Sequence, residues 1–157
     1  TRSKRQIGIR DSLHDIRNGE KSEQCRNSVQ LDFILDRGPK GGRKRFVRKY
    51  KNADEALRAD NIVLAEQLIT QMGEGKIWNS YEDTWFWMLK SEIEKAQGYD
   101  SSQLSSLRRA IFSNKSSEHV GDQYYLYLLH QKFILEIKAS LFSDALQTFA
   151  HIRQRPD

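Results

Sequence analysis

The chain has 157 residues, a formal net charge of +5, 38% apolar residues and 30% charged residues. This length predicts one domain, alone or with an arm, and the apolar content is too high for a chain that is disordered throughout. No apolar run reaches the roughly 18 to 20 residues that a membrane helix needs, and a single cysteine, Cys25, excludes a disulfide within the chain.

Positive charge is concentrated in the first third of the chain. Residues 1–51 contain fifteen lysines and arginines against six acidic residues, whereas the remainder contains eleven against fifteen. Seven basic residues and no acidic residue lie within positions 40–51, namely Lys40, Arg43, Lys44, Arg45, Arg48, Lys49 and Lys51. We therefore divide the chain into a basic N-terminal segment, residues 1–51, and a helical domain, residues 52–157.

The local structure of the basic segment is ambiguous from its pattern. A short helix is predicted over Ile9–Asn18. Apolar and polar residues alternate over Val29–Leu35 as in a strand, although the same residues also suit one face of a helix. The glycines and proline of residues 38–42 predict a loop, so two flanking strands would form a small β-hairpin over Val29–Lys51. Helix, hairpin and disordered arm are all compatible with this segment.

Five helices are predicted in the second region from apolar residues spaced three and four apart. The first spans Asn52–Met72, and the second spans Ser80–Gln97 with Ser80 as its cap and Gly98 as its stop. The other three span Ser101–Phe112, Gln123–Ala139 and Ser143–Arg153. The fold class is therefore predicted to be all-α.

The helices recur with a period near forty residues. Aligning the second helix of each pair superimposes Ala65, Leu104 and Ala145. Antiparallel helical hairpins with a period of about 34 to 47 residues bury their apolar faces by stacking as an α-solenoid. A short solenoid of about three hairpins is the expected architecture.

Over residues 61–157 at most, the last two helix pairs resemble tetratricopeptide repeats. Tyr99 and Phe142 stand where that motif has its turn tyrosine, Ala145 where it has the small residue at which helices touch, and Pro156 next to its closing proline. Another helical-hairpin array and a non-repetitive bundle are the alternatives.

The resemblance also implies a groove that binds a partner. Its side chains suit an extended peptide or a helix from another protein or another copy of the chain. The implied groove positions are Thr84, Trp87, Ser91, Glu94, Lys95, Tyr127, His130, Ile134 and Lys138.

An aromatic cluster marks the second predicted helix. Trp85, Phe86 and Trp87 are consecutive, and successive residues of a helix point about 100° apart, so one helix face cannot bury all three. Either neighbouring helices cover the third ring, or Trp87 is exposed as an anchor for a partner.

Residue spacing gives no support for catalysis or for a metal or cofactor site. The four histidines have no partner at four-residue spacing and no cysteine pair, so neither a zinc finger nor a His-Glu-x-x-His site is predicted. The loop at residues 38–42 lacks the Lys-Ser/Thr pair of a phosphate-binding loop. We expect a protein that is not an enzyme and holds no cofactor.

The basic run has several interpretations. Its lysines and arginines suit a phosphate backbone, and the interleaved Phe46 and Tyr50 could stack on unpaired bases of a nucleic acid. A nuclear-import signal, a contact with an acidic partner or an anionic membrane, and a solubilising arm without a dedicated function are the alternatives.

Two functions follow from these features. The first is a non-enzymatic protein–protein interaction module, a helical-repeat scaffold or adaptor. The second is a nucleic-acid-binding regulator that uses the basic cluster. In either case an intracellular location, cytoplasmic or nuclear, is expected from the lone cysteine. The initial Thr predicts that the chain is a piece of a longer polypeptide.

Overall fold

A computed structural model describes residues 38–39, 41–75, 78–115 and 119–154 of the chain. These residues form α-helices and contain no strand, so the all-α prediction is confirmed for the described ranges. The helices are α1 Lys44–Arg58, α2 Ile62–Gly73, α3 Ser80–Gln97, α4 Asp100–Lys115, α5 Asp122–Lys138 and α6 Phe142–Gln154. The predicted helix Ile9–Asn18 lies outside the described residues.

The predicted helix Asn52–Met72 is wrong, because this region contains parts of two helices. Asp60 has a left-handed backbone conformation with φ 60°, which ends α1, and the side chain of Asn61 then accepts a hydrogen bond from the Leu64 amide at 3.3 Å and caps α2. Since α1 begins at Lys44, the predicted boundary between residues 51 and 52 falls inside it.

The second strand of the predicted β-hairpin is also wrong, because residues 44–51 are helical. Phe46, Tyr50 and Ala53 recur at four- and three-residue intervals and are all buried in the core. This apolar stripe is typical of an amphipathic helix and explains why the basic residues around it do not form a strand. The first strand of the predicted hairpin lies outside the described residues.

The other four helices lie where they are predicted, with small shifts at their ends. The cap of α3 is Asn79 rather than Ser80: its side chain accepts from the Glu82 amide, and the Glu82 carboxylate accepts from the Asn79 amide. Helix α4 continues beyond its predicted end at Phe112, and Ser113 in this continuation donates to Asp83 Oδ2 at 2.6 Å.

Consecutive helices form three hairpins, which we call hairpin 1 (α1 and α2), hairpin 2 (α3 and α4) and hairpin 3 (α5 and α6). Each helix packs on the next along the chain, and α1 also packs on α3. Within hairpin 2, Ser113 near the end of α4 contacts Asp83 near the start of α3, and Ser106 contacts Glu94 further along α3. The two helices of this hairpin are therefore antiparallel.

One turn geometry joins the helices of all three hairpins. In each turn a residue with positive φ donates its amide to the carbonyl three residues earlier, and the next amide donates to the carbonyl five residues before it. This is the Schellman pattern that ends helices. The residues with positive φ are Asp60 at 60°, Gly98 at 78° and Ser140 at 62°.

The shared turn places the hairpins in register and corrects the alignment made from the sequence. Ala65, Gln103 and Ala145 each donate an amide hydrogen bond to the second turn residue, so these three positions are equivalent. All three are buried. Leu104, which the sequence alignment superimposed on the two alanines, lies one position further along its helix.

Helix α3 is enclosed on several sides, which resolves the problem of its three consecutive aromatic residues. Trp85 packs between Tyr50 of α1 and Tyr124 of α5, with ring centroids 5.8 and 5.1 Å away. A Cβ atom on Gly73 at the end of α2 would lie 3.0 Å from the ring of Phe86, so that ring packs on α2. Successive side chains of α3 thus contact three different helices.

A buried polar cluster recurs in hairpins 2 and 3. In hairpin 3, Lys132 Nζ lies 2.8 Å from Glu136 Oε2, and the Thr148 hydroxyl donates to Glu136 Oε1 at 2.6 Å. In hairpin 2, Lys90 Nζ lies 3.2 Å from Glu94 Oε2, and the Ser106 hydroxyl donates to Glu94 Oε1 at 2.5 Å. The members occupy equivalent positions relative to the turns.

Candidate partner-binding surfaces

The basic run covers the exposed side of the first turns of α1. Its exposed members within the helix are Lys44, Arg45, Arg48 and Lys51, and Lys49 is half-buried. The acidic residues of α1, Asp54 and Glu55, come only in its later turns, so the first half of its exposed side carries positive charge alone. Lys40 lies outside the described residues.

Arg43 has a structural role that separates it from the other basic residues. Its side chain donates to both oxygens of Glu82, at 3.1 and 2.7 Å, and its amide donates to Glu82 Oε2 at 2.9 Å. The hydrogen bonds from the Arg43 side chain hold the pKa of the buried Glu82 carboxyl below its usual value. Gly41 continues the attachment by donating its amide to the Tyr81 hydroxyl at 3.0 Å.

The two aromatic residues within the basic run face inward. Phe46 is 0% exposed and contacts Trp78 edge to face, and Tyr50 is 1% exposed beside Trp85. They are therefore not available to stack on bases, and that part of the nucleic-acid prediction is wrong. Burial raises the pKa of the Tyr50 hydroxyl well above its usual value, so the group is neutral.

The predicted groove on α3 is largely occupied by α4. Thr84, Ser91 and Glu94 are buried, because they lie on the face of α3 that packs against α4 within hairpin 2. Thr84 and Ser91 donate to backbone carbonyls of their own helix, and Glu94 accepts from Ser106. Lys95 is half-buried. Thr84, Ser91 and Glu94 therefore do not line an open groove, and the predicted groove is wrong at these three positions.

Trp87 lies at the edge of the same interface and is half-buried. Its indole Nε1 donates to Asp83 Oδ1 at 3.1 Å, and its ring contacts Phe86 edge to face. The guanidinium of Arg109, from α4, lies 4.7 Å from the centre of the Trp87 ring in a cation–π contact. The indole is thus held in a fixed orientation with an arginine covering it.

A surface groove opens beside this pair. Its volume is about 510 Å³, and Trp87, Arg109 and Phe112 are among its lining residues. Phe112 is 79% exposed, an unusual position for a large aromatic side chain. A second groove of about 390 Å³, between α4 and α5, shares Ser105 and Arg108 with the first. The two grooves together follow the exposed side of α4.

The α5 members of the predicted groove have varied surroundings. The Tyr127 hydroxyl donates to Glu92 Oε2 at 2.7 Å, and Lys138 Nζ lies 2.7 Å from Asp100 Oδ2. His130 is exposed and Ile134 is half-buried. Only Lys138, at the second groove, joins the surface described above.

Sequence reasoning missed Arg109 and Phe112. The signal was present, since an Arg and a Phe three residues apart share one side of a helix. The apolar spacing was used to assign core positions, and Phe112 lies off that stripe. The structure places both residues beside Trp87, a predicted α3 groove residue, around one open groove.

Neither a metal centre nor a membrane span is found in the described part of the chain. Its His, Cys, Asp and Glu side chains form no group of three that could hold a metal ion. None of its helices is long and apolar enough to cross a membrane. The intracellular location stays a prediction.

Comparison of the chain with family models, curated proteins and solved structures finds no match.

Proposed function

We propose that the chain is a non-enzymatic protein-interaction module, a short α-solenoid of three helical hairpins that holds an extended peptide or a partner helix along α4. The observation that carries this proposal is the arrangement of Trp87, Arg109 and Phe112 around one open groove. Tryptophan and arginine are over-represented among the residues that dominate binding energy in protein interfaces.

The groove also has the chemistry that peptide recognition requires. Phe112 offers exposed apolar surface, and Arg109 retains its guanidinium donors because its contact with Trp87 is through the ring face. Apolar area gives affinity, and a fixed cation selects for a carboxylate or a backbone carbonyl nearby. The preferred ligand is therefore a segment with an apolar side chain next to an acceptor.

The test is partner capture by the whole chain and by surface variants. Phe112→Ser and Arg109→Ala should each reduce capture from a native lysate by at least about tenfold, which corresponds to about 1.4 kcal/mol. Val63→Ser is a matched control, because Val63 is 70% exposed on α2 and lies outside the groove. Equal capture by all of these proteins would refute the groove.

Stability must be measured alongside capture. Phe112 is exposed, so its replacement should leave the melting temperature within the small range typical of surface substitutions. Nuclease treatment of the lysate separates direct protein binding from bridging by nucleic acid. A partner that is lost on nuclease treatment would favour the second function below.

A second candidate is binding to a nucleic-acid backbone by α1. Lys44, Arg48 and Lys51 follow one another at four- and three-residue intervals, and all three are exposed. Basic side chains spaced in this way displace counterions from phosphates without reading sequence. Such binding would depend on backbone charge, because the aromatic residues of the run are buried.

This candidate predicts a salt-dependent affinity that four substitutions abolish. Replacing Lys44, Arg45, Arg48 and Lys51 with alanine should remove most of the slope of log affinity against log salt, while Arg43 is left in place to preserve its attachment to Glu82. The matched control replaces four exposed glutamines with glutamate: Gln67, Gln123, Gln147 and Gln154. It lowers the net charge by the same amount as the four alanine substitutions. Equal loss in both variants would show that net charge alone is responsible.

A further inference from the structure

The groove beside Trp87 has two walls of opposite charge. Asp83 lines it from α3, and Arg109 lines it from α4. Neither residue forms an ion pair with any other described residue. The two charges therefore do not neutralise each other, although both groups contact the same indole ring.

The remaining charged residue of the groove lining, Arg108, is compensated from outside the groove. Its guanidinium lies 3.5 Å from Asp144 of α6 and 3.7 Å from Glu136 of α5. Among the described residues, a ligand in this groove therefore meets one uncompensated base, Arg109, and one uncompensated acid, Asp83.

The Asp83 carboxylate is held in position by neutral donors. Its Oδ1 accepts from the Trp87 indole at 3.1 Å, and its Oδ2 accepts from the Ser113 hydroxyl at 2.6 Å. These hydrogen bonds fix the group but leave its negative charge unbalanced. Each carboxylate oxygen also has a further acceptor site, which a donor from a ligand can use.

Arg109 is held in position on the opposite wall. Its side chain is exposed, and its guanidinium lies 4.7 Å from the centre of the Trp87 ring. A guanidinium that stacks on an aromatic ring keeps its N–H donors in its own plane, where two of them match the oxygens of a carboxylate. Arg109 is therefore oriented to receive an acidic side chain.

Helix α4 sets the order of these groups along the groove. Ser113 marks the level of Asp83, because the two side chains are hydrogen-bonded. Arg109 comes one turn earlier on α4, about 6 Å along the axis at a rise of about 1.5 Å per residue. Phe112 lies between these positions in the sequence. The groove thus presents an acid, an apolar ring and a base in that order.

We propose that the groove binds a short peptide segment of another protein that carries both charges, with an acidic side chain at Arg109, a basic side chain at Asp83 and an apolar side chain on Phe112. This inference rests on the proposed function and names the class of ligand for the same groove. Asp83 would repel a uniformly acidic segment, and Arg109 would repel a uniformly basic one. The two walls therefore select for a segment of mixed charge.

Selection from a phage library of random peptides tests the proposal, with the whole chain as bait. Peptides that bind the wild-type chain but not Phe112→Ser occupy the groove. We expect these peptides to share an apolar residue with an acidic residue on one side and a basic residue on the other. Groove-dependent peptides without this charge pair would overturn the proposal but leave the proposed function standing. If no selected peptide depends on Phe112, the proposal also fails, and lysate capture decides the proposed function separately.

Titration calorimetry with one selected peptide assigns each charge to its wall. Replacing the acidic residue of the peptide with alanine should weaken binding to the wild-type chain about three- to tenfold, and much less to Arg109→Gln. Replacing the basic residue should show the same coupling to Asp83→Asn. Arg45→Gln and Asp60→Asn are matched controls, because they make the same changes at exposed positions outside the groove. Coupling of the acidic residue to Asp83, or equal coupling to the controls, would contradict the assignment.

A charge swap covers the case in which Asp83→Asn disturbs Trp87 and destabilises the fold. Arg109 is exposed, so Arg109→Glu should keep the melting temperature within the small range typical of surface substitutions. This variant should reject the selected peptide and bind a version in which lysine replaces the acidic residue. If the lysine version binds Arg109→Glu no better than the original peptide does, the acidic side chain does not lie at Arg109.

Discussion

Two turn residues are held in a backbone conformation that glycine adopts at lower cost. Asp60 and Ser140 have φ near 60°, whereas the equivalent residue of the middle turn is Gly98. A left-handed conformation costs a residue with a Cβ atom about 1 to 2 kcal/mol, and the greater chain entropy of glycine when unfolded offsets part of any gain. The outer two turns therefore store strain that the middle turn avoids.

Replacing either residue with glycine should stabilise the protein. We expect Asp60→Gly and Ser140→Gly each to raise the free energy of unfolding by about 0.5 to 1 kcal/mol, and Gly98→Ala to lower it by about 1 kcal/mol. Chemical denaturation measures all three. Ala59→Gly is the control, because Ala59 has φ −80° and gains nothing from glycine; a similar stabilisation by Ala59→Gly would contradict the explanation.

The attachment of Arg43 to Glu82 makes stability depend on pH in a defined direction. The pKa of Glu82 in the folded protein is lowered by hydrogen bonds from Arg43, against the opposing effect of burial. The stabilisation is therefore complete above the unfolded pKa of about 4.3 and is lost as pH falls through the lower folded pKa.

Glu82→Gln should cost about 1.5 to 3 kcal/mol at neutral pH, the range for hydrogen bonds to charged groups, and should flatten the acid side of the stability profile. Thermal unfolding between pH 2 and 7 measures both effects. Glu74→Gln, at an exposed position after α2, should keep the wild-type profile. If both variants gave the wild-type profile, Glu82 would not be the group that responds to acid.

At the scale of the helices, the buried polar cluster of hairpin 3 predicts that Lys132, Glu136 and Thr148 contribute to stability as a unit. Thr148→Val leaves the buried Glu136 without its hydroxyl partner and should cost about 1 to 3 kcal/mol. Replacing Lys132 with Met and Glu136 with Leu in the same chain should recover most of that loss, because the charges leave together. Equilibrium unfolding in denaturant measures the free energy of unfolding of each variant. If the variant with all three substitutions were less stable than Thr148→Val alone, the predicted coupling would be wrong.

Sequence patterns located α3 to α6 because their ends carry recognisable signals. Gly98 stops α3, and apolar residues recur along all four helices at three- and four-residue spacing. The break between α1 and α2 was missed because its left-handed residue is Asp60 rather than glycine. For the first turns of α1 the sequence left helix, hairpin and disordered arm open, because charge dominates their composition and the stripe of Phe46, Tyr50 and Ala53 has only three members.

The binding surface was less accessible to sequence reasoning. Periodicity identifies which residues of α3 share a face, but whether that face meets solvent depends on where α4 lies. The resemblance to tetratricopeptide repeats implied an open face at Thr84, Ser91 and Glu94, whereas α4 covers it. Trp87 lies at the margin of that contact and is the member of the α3 set that lines a groove.

At the scale of the whole molecule, packing between chain neighbours predicts a gradient of local stability. Helix α3 is covered on several sides and has many buried residues, whereas α6 packs chiefly on α5. In such an array the ends open at lower free energy than the middle. Native-state hydrogen exchange should find the slowest amides in α3 and faster exchange in α6. Uniform protection across the helices would contradict this.

The recurring buried glutamates also govern which helices can dock with which. The positions in hairpin 1 equivalent to Glu94 and Ser106 are Ala56 and Leu68. Neither side chain can donate or accept a hydrogen bond. If α2 were to take the place of α4 during folding, Glu94 would be buried opposite Leu68. Its carboxylate oxygen would then lack the hydroxyl donor that Ser106 supplies. Pairing of α3 with α2 in place of α4 would therefore leave a buried carboxylate unmatched, so the polar cluster favours the native pairing of α3 with α4.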